Sequence, residues 1–360
     1  MDDKKDKFER KDNFMVFKEV YLVKSVNNND DIKIASFYSN DSENYESKLN
    51  LSKIFLGIFI GQLLSIISVL NGFFNTKIQI KKKLIIPFLL TSIYYLLFFI
   101  CFIIYNKFSF KKPKFIYILI ILIDCLANGI NIFVFSLTKF EYPYIINLNS
   151  TLWSVIFTII LIKNVHYCKN HIFGLIIGFI GNILSFLGTF QSLKDIINIF
   201  EKNNLSGLIF CIIISILYAI DQVLQEKYLE TNEIFDYFIW CGIIGFFISI
   251  IITIINGEIK IIFDDKNFEL ETFIYLILSV LTLTLFSFIS PFYIIKYSAN
   301  MFSMNLISTV FWAFLVNFFL IQSPTYYYYM IIFFIIGLLF IILGTLIFNS
   351  KERITNIIEQ

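Results

Sequence analysis

Three acids, Asp124, Asp221 and Glu226, stand inside long apolar stretches of the sequence. An ionisable group in hydrocarbon is costly, so such positions mark solute or ion pathways, proton relays, or clasps between helices. Asp124 lies about ten residues into the stretch 115–137, roughly 15 Å deep at the 1.5 Å rise of a helix, near the centre of a bilayer. Asn128 and Asn131 follow at i+4 and i+7 and share one helical stripe with it. A stripe of this kind facing lipid would be costly, so it faces other helices. It then either lines a cavity and couples a proton, or clasps a neighbouring helix. Asp221 pairs with Gln225, and Gln222 with Glu226, at i,i+4 spacing on two neighbouring ridges near a membrane surface. Two neutral clusters, Asn147/Asn149/Ser150/Thr151 and Asn305/Ser308/Thr309, add hydrogen-bonding groups that either line a cavity or bond across helices as packing glue. The expected substrate-binding or coupling set is Asp124, Asn128, Asn147, Ser150, Asp221, Glu226, Asn305 and Ser308.

Other chemistries find no support. The sequence carries no Gly-rich phosphate loop, no Ser/His/Asp arrangement and no HExxH, so neither an enzyme nor an ATP-driven pump is expected, and no cofactor. Its five cysteines form no CxxC, and four lie in apolar segments, where Cys acts as a small hydrophobe; no metal site is expected. His166 and His171 lie in one short polar connection and read as interfacial residues. A net charge of +2 offers nothing to nucleic acid.

The elements that must hold these residues are membrane helices. The chain is 58% hydrophobic with a mean hydropathy of +0.76, far beyond what a soluble domain of 360 residues can cover. Ten apolar segments near bilayer length fall at 53–75, 84–106, 115–137, 143–163, 171–191, 205–227, 234–256, 272–295, 301–321 and 326–348. Backbone polar groups in lipid must be satisfied within each segment, so these are helices. Residues 1–52 are expected as a polar, disordered cytosolic tail, 53–200 as one five-helix unit, 201–350 as a second, and 351–360 as a short cytosolic tail. Lys and Arg near the span ends number 13 on one side and 9 on the other, which places both termini in the cytosol. Tyr326–Tyr329 fits an interfacial aromatic belt. Gly174-x-x-x-Gly178 fits a homodimer contact and packing within the chain equally well.

The two halves echo each other. Asn147-Leu148-Asn149-Ser150-Thr151 returns as Asn305-Leu306-Ile307-Ser308-Thr309, offset by 158. Phe115-Ile116-Tyr117 returns as Phe273-Ile274-Tyr275 at the same offset, and Gly181 with Leu187-Gly188-Thr189 returns as Gly337 with Leu343-Gly344-Thr345 at 156. Collinear echoes at a near-constant distance indicate a duplicated unit. Five helices per unit is an odd number, so the second copy enters the membrane inverted. The expected fold is an all-α integral membrane protein of ten transmembrane helices in two inverted five-helix repeats, a plan of secondary transporters.

Several blocks resemble the solute carrier 35 transporters, F subfamily, of the drug/metabolite transporter superfamily. Gly61-Gln62-Leu63-Leu64-Ser65 is similar to that family's G-Q-[LV]-L-S, and Asp124 with Ala127-Asn128 resembles its A-D-V-E-A-N. Leu217-Tyr218-Ala219-Ile220 with Val223 and Glu226 resembles L-Y-A-I-S-N-V-x-E-E. Ser287-Phe288 with Pro291 and Lys296 resembles S-F-M-P-x-V-I-K, and Ser303-Met304-Asn305-Leu306 resembles S-V-N-L. The chain departs from the family where Leu126 replaces the Glu of A-D-V-E and Asp221-Gln222 replaces Ser-Asn. The resemblance implies a carrier of small organic solutes, with relatives that move nucleotide sugars, nucleosides or drugs.

The expectation is a secondary active transporter working by alternating access, proton-coupled or exchanging, whose partners are a small-molecule substrate and the lipid bilayer. Arginine is nearly absent from the spans, so a neutral or cationic solute fits better than a phosphorylated one. The alternatives are a nucleotide-sugar antiporter and a non-transporting scaffold that acts through its N-terminal tail.

Overall fold

The computed structural model describes residues 32–82, 84–105, 111–138, 140, 142–147, 149–162, 165–188, 202–229, 231, 233–264, 270–321, 328–350 and 354–355. The expected tail therefore lies outside the described residues up to position 31, as do Lys139, Thr189, Tyr326 and Tyr327. Among the described residues, ten helices are long and apolar enough to cross a membrane. Spans one to five are Phe55–Gln79, Pro87–Tyr105, Phe115–Val134, Tyr142–Leu161 and Lys169–Leu187. Spans six to ten are Leu205–Tyr228, Ile234–Ile255, Leu270–Tyr297, Ala299–Leu320 and Ile331–Phe348. Span one belongs to a longer helix, Ile32–Lys82. Among the described residues the only strands are two-residue pieces, Val165–His166 and Ile354–Thr355, paired antiparallel.

The bundle turns its apolar side chains outward. Phe115, Ile255 and Leu270 are 85%, 76% and 75% exposed, as lipid-facing residues are in the absence of a bilayer. Inside, buried aromatic side chains alternate with buried polar ones. Tyr94, Tyr95, Phe98 and Phe238 are packed between spans two and seven, while Asn71, Asn128, Asp221, Gln222 and Ser303 are buried on neighbouring helices.

Span pairing follows where side chains are small enough to permit close approach. Span five packs along span ten, span two along span seven, and span six against spans three and four. Span nine crosses span four, and span eight lies beside span two. Lipid tails give apolar helices no net drive to associate, so tight dispersion contacts and hydrogen bonds must hold the pairs together. A Cβ added to Gly181 would lie 2.6 Å from the Gly337 carbonyl oxygen, and one added to Gly337 would lie 2.6 Å from the Gly181 carbonyl oxygen. One added to Gly344 would lie 2.5 Å from the Gly178 nitrogen. The small-residue face of span five is thus spent on span ten, within the chain.

Polar clasps close the two ends of the bundle. At one surface Glu233, just ahead of span seven, pairs with Lys114 and accepts a hydrogen bond from the Tyr117 hydroxyl at 2.8 Å. The Lys114 ammonium, followed by the Tyr117 hydroxyl, holds the Glu233 carboxyl below its usual range. At the other surface Glu258, in the short helix Glu258–Asp264, accepts from the Leu89 backbone N–H at 2.9 Å and caps the start of span two. Burial raises the pKa of that carboxyl.

Because the close approach of spans five and ten is backbone to backbone, Gly344→Ala and Gly181→Ala should each destabilise the fold by about 1–3 kcal/mol. Gly178→Ala, whose new Cβ meets only Met304 Cε at 3.4 Å and Ile307 Cδ1 at 3.7 Å, should change little. Thermal unfolding of the three variants in lipid nanodiscs checks this ranking.

Candidate functional site

The polar stripe of span three faces the bundle. Asp124 Oδ2 accepts from the Tyr95 hydroxyl of span two at 2.7 Å, and Asp124 Oδ1 accepts from Asn128 Nδ2 at 2.9 Å. Asn128 Oδ1 then accepts from the Tyr218 hydroxyl of span six at 2.9 Å. A chain of side-chain bonds, Tyr95–Asp124–Asn128–Tyr218, therefore crosses three spans, and both carboxylate oxygens of Asp124 are engaged. Tyr95 was not legible as a partner: it is one of two adjacent tyrosines in an otherwise apolar helix, and nothing in the spacing points it at span three. Tyr218 lies in the Leu-Tyr-Ala-Ile block, which is the sequence signal that points to it.

Span six supplies the second acid. Asp221 Oδ2 accepts from Gln225 Nε2 at 2.8 Å, as the i,i+4 spacing predicts. Gln222 and Glu226, the other ridge pair, each turn to span nine instead. Gln222 Oε1 accepts from the Ser303 hydroxyl at 2.6 Å, and Glu226 Oε2 accepts from the Ala299 backbone N–H at 2.8 Å. Glu226 thus caps the first helical turn of span nine, where a carboxylate is favoured by the unpaired amides and the helix dipole.

Two adjoining cavities lie along this seam. One, of about 40 Å³, is lined by both Asp124 and Asp221 together with Gln225, Tyr94, Ser290 and Phe302. The other, of about 80 Å³, is lined by Asn131, Ser150, Ser303 and Thr309, with Tyr144 at one end. Tyr218, Gln222 and Phe286 border both, so they are compartments of one polar seam. A volume of this size holds a few waters at most. A drug-sized ligand needs several hundred cubic ångströms, so the seam is closed down in this conformation.

The two echoed motifs occupy unlike places. Ser150 lines the larger cavity. The side chain of Asn147 lies outside the described residues, as does Leu148. Asn305 is buried against span one, where a Cβ on Gly61 would lie 2.5 Å from the Asn305 Cβ, and its Nδ2 donates to the Tyr293 hydroxyl at 2.7 Å. Ser308 donates to the Asn305 carbonyl at 2.9 Å and to Ser65 Oγ at 3.1 Å. Asn305 and Ser308 thus knit span nine to spans one and eight rather than lining either cavity. Span nine is interrupted there: helices Ala299–Leu306 and Thr309–Val316 are separated by Ile307 and Ser308. The ladder tightens to i→i+3 bonds from Ile307 to Met304 and from Ser308 to Asn305, which a serine hydroxyl competing for the carbonyl promotes. In span four the described helical residues are Tyr142–Asn147 and Asn149–Leu161. The two spans meet through Thr151, which donates to the Ser303 carbonyl at 3.2 Å, and Ser154, which donates to Asn300 Oδ1 at 2.7 Å.

His171 is buried at the start of span five, where its Nδ1 accepts from the Cys168 backbone N–H at 3.1 Å. Trp312 donates to Gln62 Oε1 at 3.1 Å, and Trp153 stacks on Phe157. Lys296 lies over the Tyr297 ring, 5.3 Å from its centroid.

The joint between spans eight and nine is strained. Ser298, with φ 100° and ψ 155°, is the one non-glycine residue at positive φ among the described residues, in a region that glycine alone occupies freely. It sits directly before the amide that Glu226 holds. Ser298→Gly should relieve about 1–3 kcal/mol of strain and lose only a few tenths through the weakened cap, so the unfolding temperature should rise. Glu226→Ala should lower it by leaving the Ala299 amide unpaired. Thermal unfolding of both variants in nanodiscs checks the two signs.

A model of the family SLC35F, solute carrier family 35, matches residues 50–348. No curated protein matches the chain. A solved structure, described only as a crystal structure of a protein, aligns with a TM-score of 0.55 over 82% of this chain and 96% of its own, at 12% identity, and shares the fold. The blocks around Gly61, Asp124, Tyr218, Pro291 and Asn305 all fall inside the matched residues. The chain belongs to the F group of solute carrier family 35.

Proposed function

We propose that this solute carrier is a secondary active transporter that works by alternating access between two inverted five-helix repeats. The observation that carries the reading is the buried seam between the halves, with two carboxyls, Asp124 and Asp221, lining one cavity at membrane depth. Such groups are retained in a membrane interior for transport far more readily than for stability, since apolar packing would serve stability as well.

Inverted repeats are supported by the reciprocity of the packing. Exchanging each span for the one five places on turns the pair three–seven into eight–two, and both pairs are in contact. It turns four–six into nine–one, which the bonds from Ser65 to the Asn305 carbonyl and from Ser308 to Ser65 join. It turns three–six into eight–one, joined by Asn71 Nδ2 donating to the Ser279 carbonyl at 2.8 Å. The pairs five–ten, two–seven and four–nine map onto themselves. Gly181 and Gly337, equivalents in the sequence echo, touch each other reciprocally, as residues beside a two-fold axis do. The register of Thr151 on Ser303 and Ser154 on Asn300 has its midpoint inside both N-L-x-S-T motifs.

In the cycle, rocking of one repeat against the other opens the seam to one side at a time. Glu226 on Ala299 is a contact that must part when spans six and nine separate at their surface. Between spans one and eight the Asn71–Ser279–Asn75 cluster forms a second such contact, with Ser279 Oγ donating to Asn75 Oδ1 at 2.7 Å. Two carboxyls in one buried cavity need neutralising during occlusion, by protons or by a cationic cargo. Asp124 is the proton-coupling residue in this scheme. With both termini in the cytosol, Glu226 closes the cytosolic side. The nucleotide-sugar reading is less favoured, since none of the described residues lining either cavity is Lys, Arg or His.

The test is uptake by the full-length chain in proteoliposomes from a pooled metabolite extract, read by mass spectrometry with and without an inward proton gradient. The expected outcome is accumulation of one solute class, loss of gradient dependence in Asp124→Asn, and unaltered uptake when residues 1–50 are deleted. A silent Asp124→Asn with loss of function in the tail deletion would instead establish a scaffold.

A further inference from the structure

We infer that the Asp124/Asp221 cavity selects a small organic ammonium ion, held through its N–H groups by Asp221 Oδ1 and Gln225 Oε1; this rests on the carrier reading above.

The inference starts from which polar atoms remain open. Asp221 and Gln225 are only 4% and 5% exposed and line the same cavity. Each has one oxygen bonded to nothing among the described residues, Asp221 Oδ1 and Gln225 Oε1. With Asp221 ionised, the Gln225 nitrogen donates to its carboxylate at 2.8 Å and the amide oxygen is left open. Both of these open atoms are acceptors, and the Tyr94 hydroxyl in the same lining, also bonded to nothing among the described residues, can donate or accept. By contrast Asp124, the other acid here, has both oxygens taken by Tyr95 and Asn128, and acts on a bound solute through its charge.

A buried acceptor without a donor is unfavourable, and a solute that supplies the donor removes that cost on binding. Charge narrows the choice further. Among the described residues the lining holds two carboxyls and no Lys, Arg or His, so an anion meets like charge and a neutral donor leaves the carboxylates uncompensated. Much of the remaining wall is aromatic, with Tyr94, Phe98, Tyr237, Phe238, Phe286 and Phe302 beside polar groups such as Asn128 and Ser290. Aromatic faces attract a desolvated cation and accommodate the apolar body attached to it. An inorganic metal ion fits less well, because no group of three or more acidic, His or Cys side chains converges among the described residues.

The experiment uses the full-length chain in nanodiscs and four probes on one skeleton: 2-phenylethylammonium, its N,N,N-trimethyl derivative, 2-phenylethanol and phenylacetate. Binding is read by ligand-induced thermal stabilisation over a concentration series. The ammonium should bind at least about tenfold tighter than the alcohol, as charged hydrogen bonds warrant, and phenylacetate should not bind. The trimethyl derivative, which has the charge and no N–H, should fall between the ammonium and the alcohol. Asp221→Asn should bring ammonium and alcohol to within about threefold of each other. Gln225→Leu should weaken the ammonium while leaving its preference over the alcohol. If Asp221→Asn does not fold, the wild-type ranking and Gln225→Leu decide. Equal or stronger binding of alcohol or carboxylate, or no binding by any probe, overturns the inference. Uptake is scored separately. Selective ammonium binding without uptake supports this site and sinks the carrier reading, whereas uptake indifferent to charge does the opposite.

Discussion

The low polarity of the membrane interior is the constraint on which the rest of this structure depends. No water is at hand there to satisfy a stray donor or acceptor, and each orphan costs several kcal/mol. Many hydroxyls meet the demand locally, by bonding back to the carbonyl one turn earlier. Thr76 on Gly72, Thr91 on Pro87, Ser249 on Gly245 and Thr345 on Ile341 do so at 2.6–2.9 Å. Other polar side chains reach further. Asp124, Asn128, Asn71, Gln222 and Ser303 are bonded across spans, and the helices that supply their partners are neighbours. The polar seam is a cause of the helix arrangement as well as its product.

Close packing supplies the other half of the cohesion. Where the partner is another backbone, as between spans five and ten, glycine is required because a Cβ would meet peptide atoms that cannot move aside. Where the partner is a ring, as at Gly245 against Tyr95, the glycine makes room for a side chain that has work elsewhere. That placement lets the Tyr95 hydroxyl reach Asp124. Packing on one side of span two thus positions a polar contact on the other.

The two copies of the echoed motif show how a duplicated unit diverges. Ser150 borders a cavity, while Ser308 is fully buried in a bond to span one. Identical letters at equivalent places meet unlike surroundings, because spans one and six, their neighbours, differ in composition. Ser65 gives Ser308 a hydroxyl to bond, and span six offers Tyr218 and Gln222 at the cavity edge instead. Asymmetry of this kind puts the acids of the seam on spans three and six, with no acid among the residues that spans eight and nine contribute to the lining.

Much of the architecture was legible in the residues alone. Ten spans, the inward face of the Asp124 stripe and the Asp221–Gln225 pair all follow from hydropathy and helical spacing, which act over one or two turns and need no knowledge of neighbours. The family follows from short blocks in the right order. What spacing could not assign was the partner of each polar group. That Glu226 caps span nine, that Gln222 meets Ser303, and that Asn305 and Ser308 serve as glue depend on which helices lie side by side. Tyr95 on Asp124 and the strained turn at Ser298 depend on it too. Helix adjacency is set by the summed fit of whole faces, glycine against backbone and ring against gap, and no single stretch of sequence carries that sum. The sequence determined that polar groups must be buried in a membrane; only the tertiary structure decided which of them are spent on one another and which are left facing a cavity.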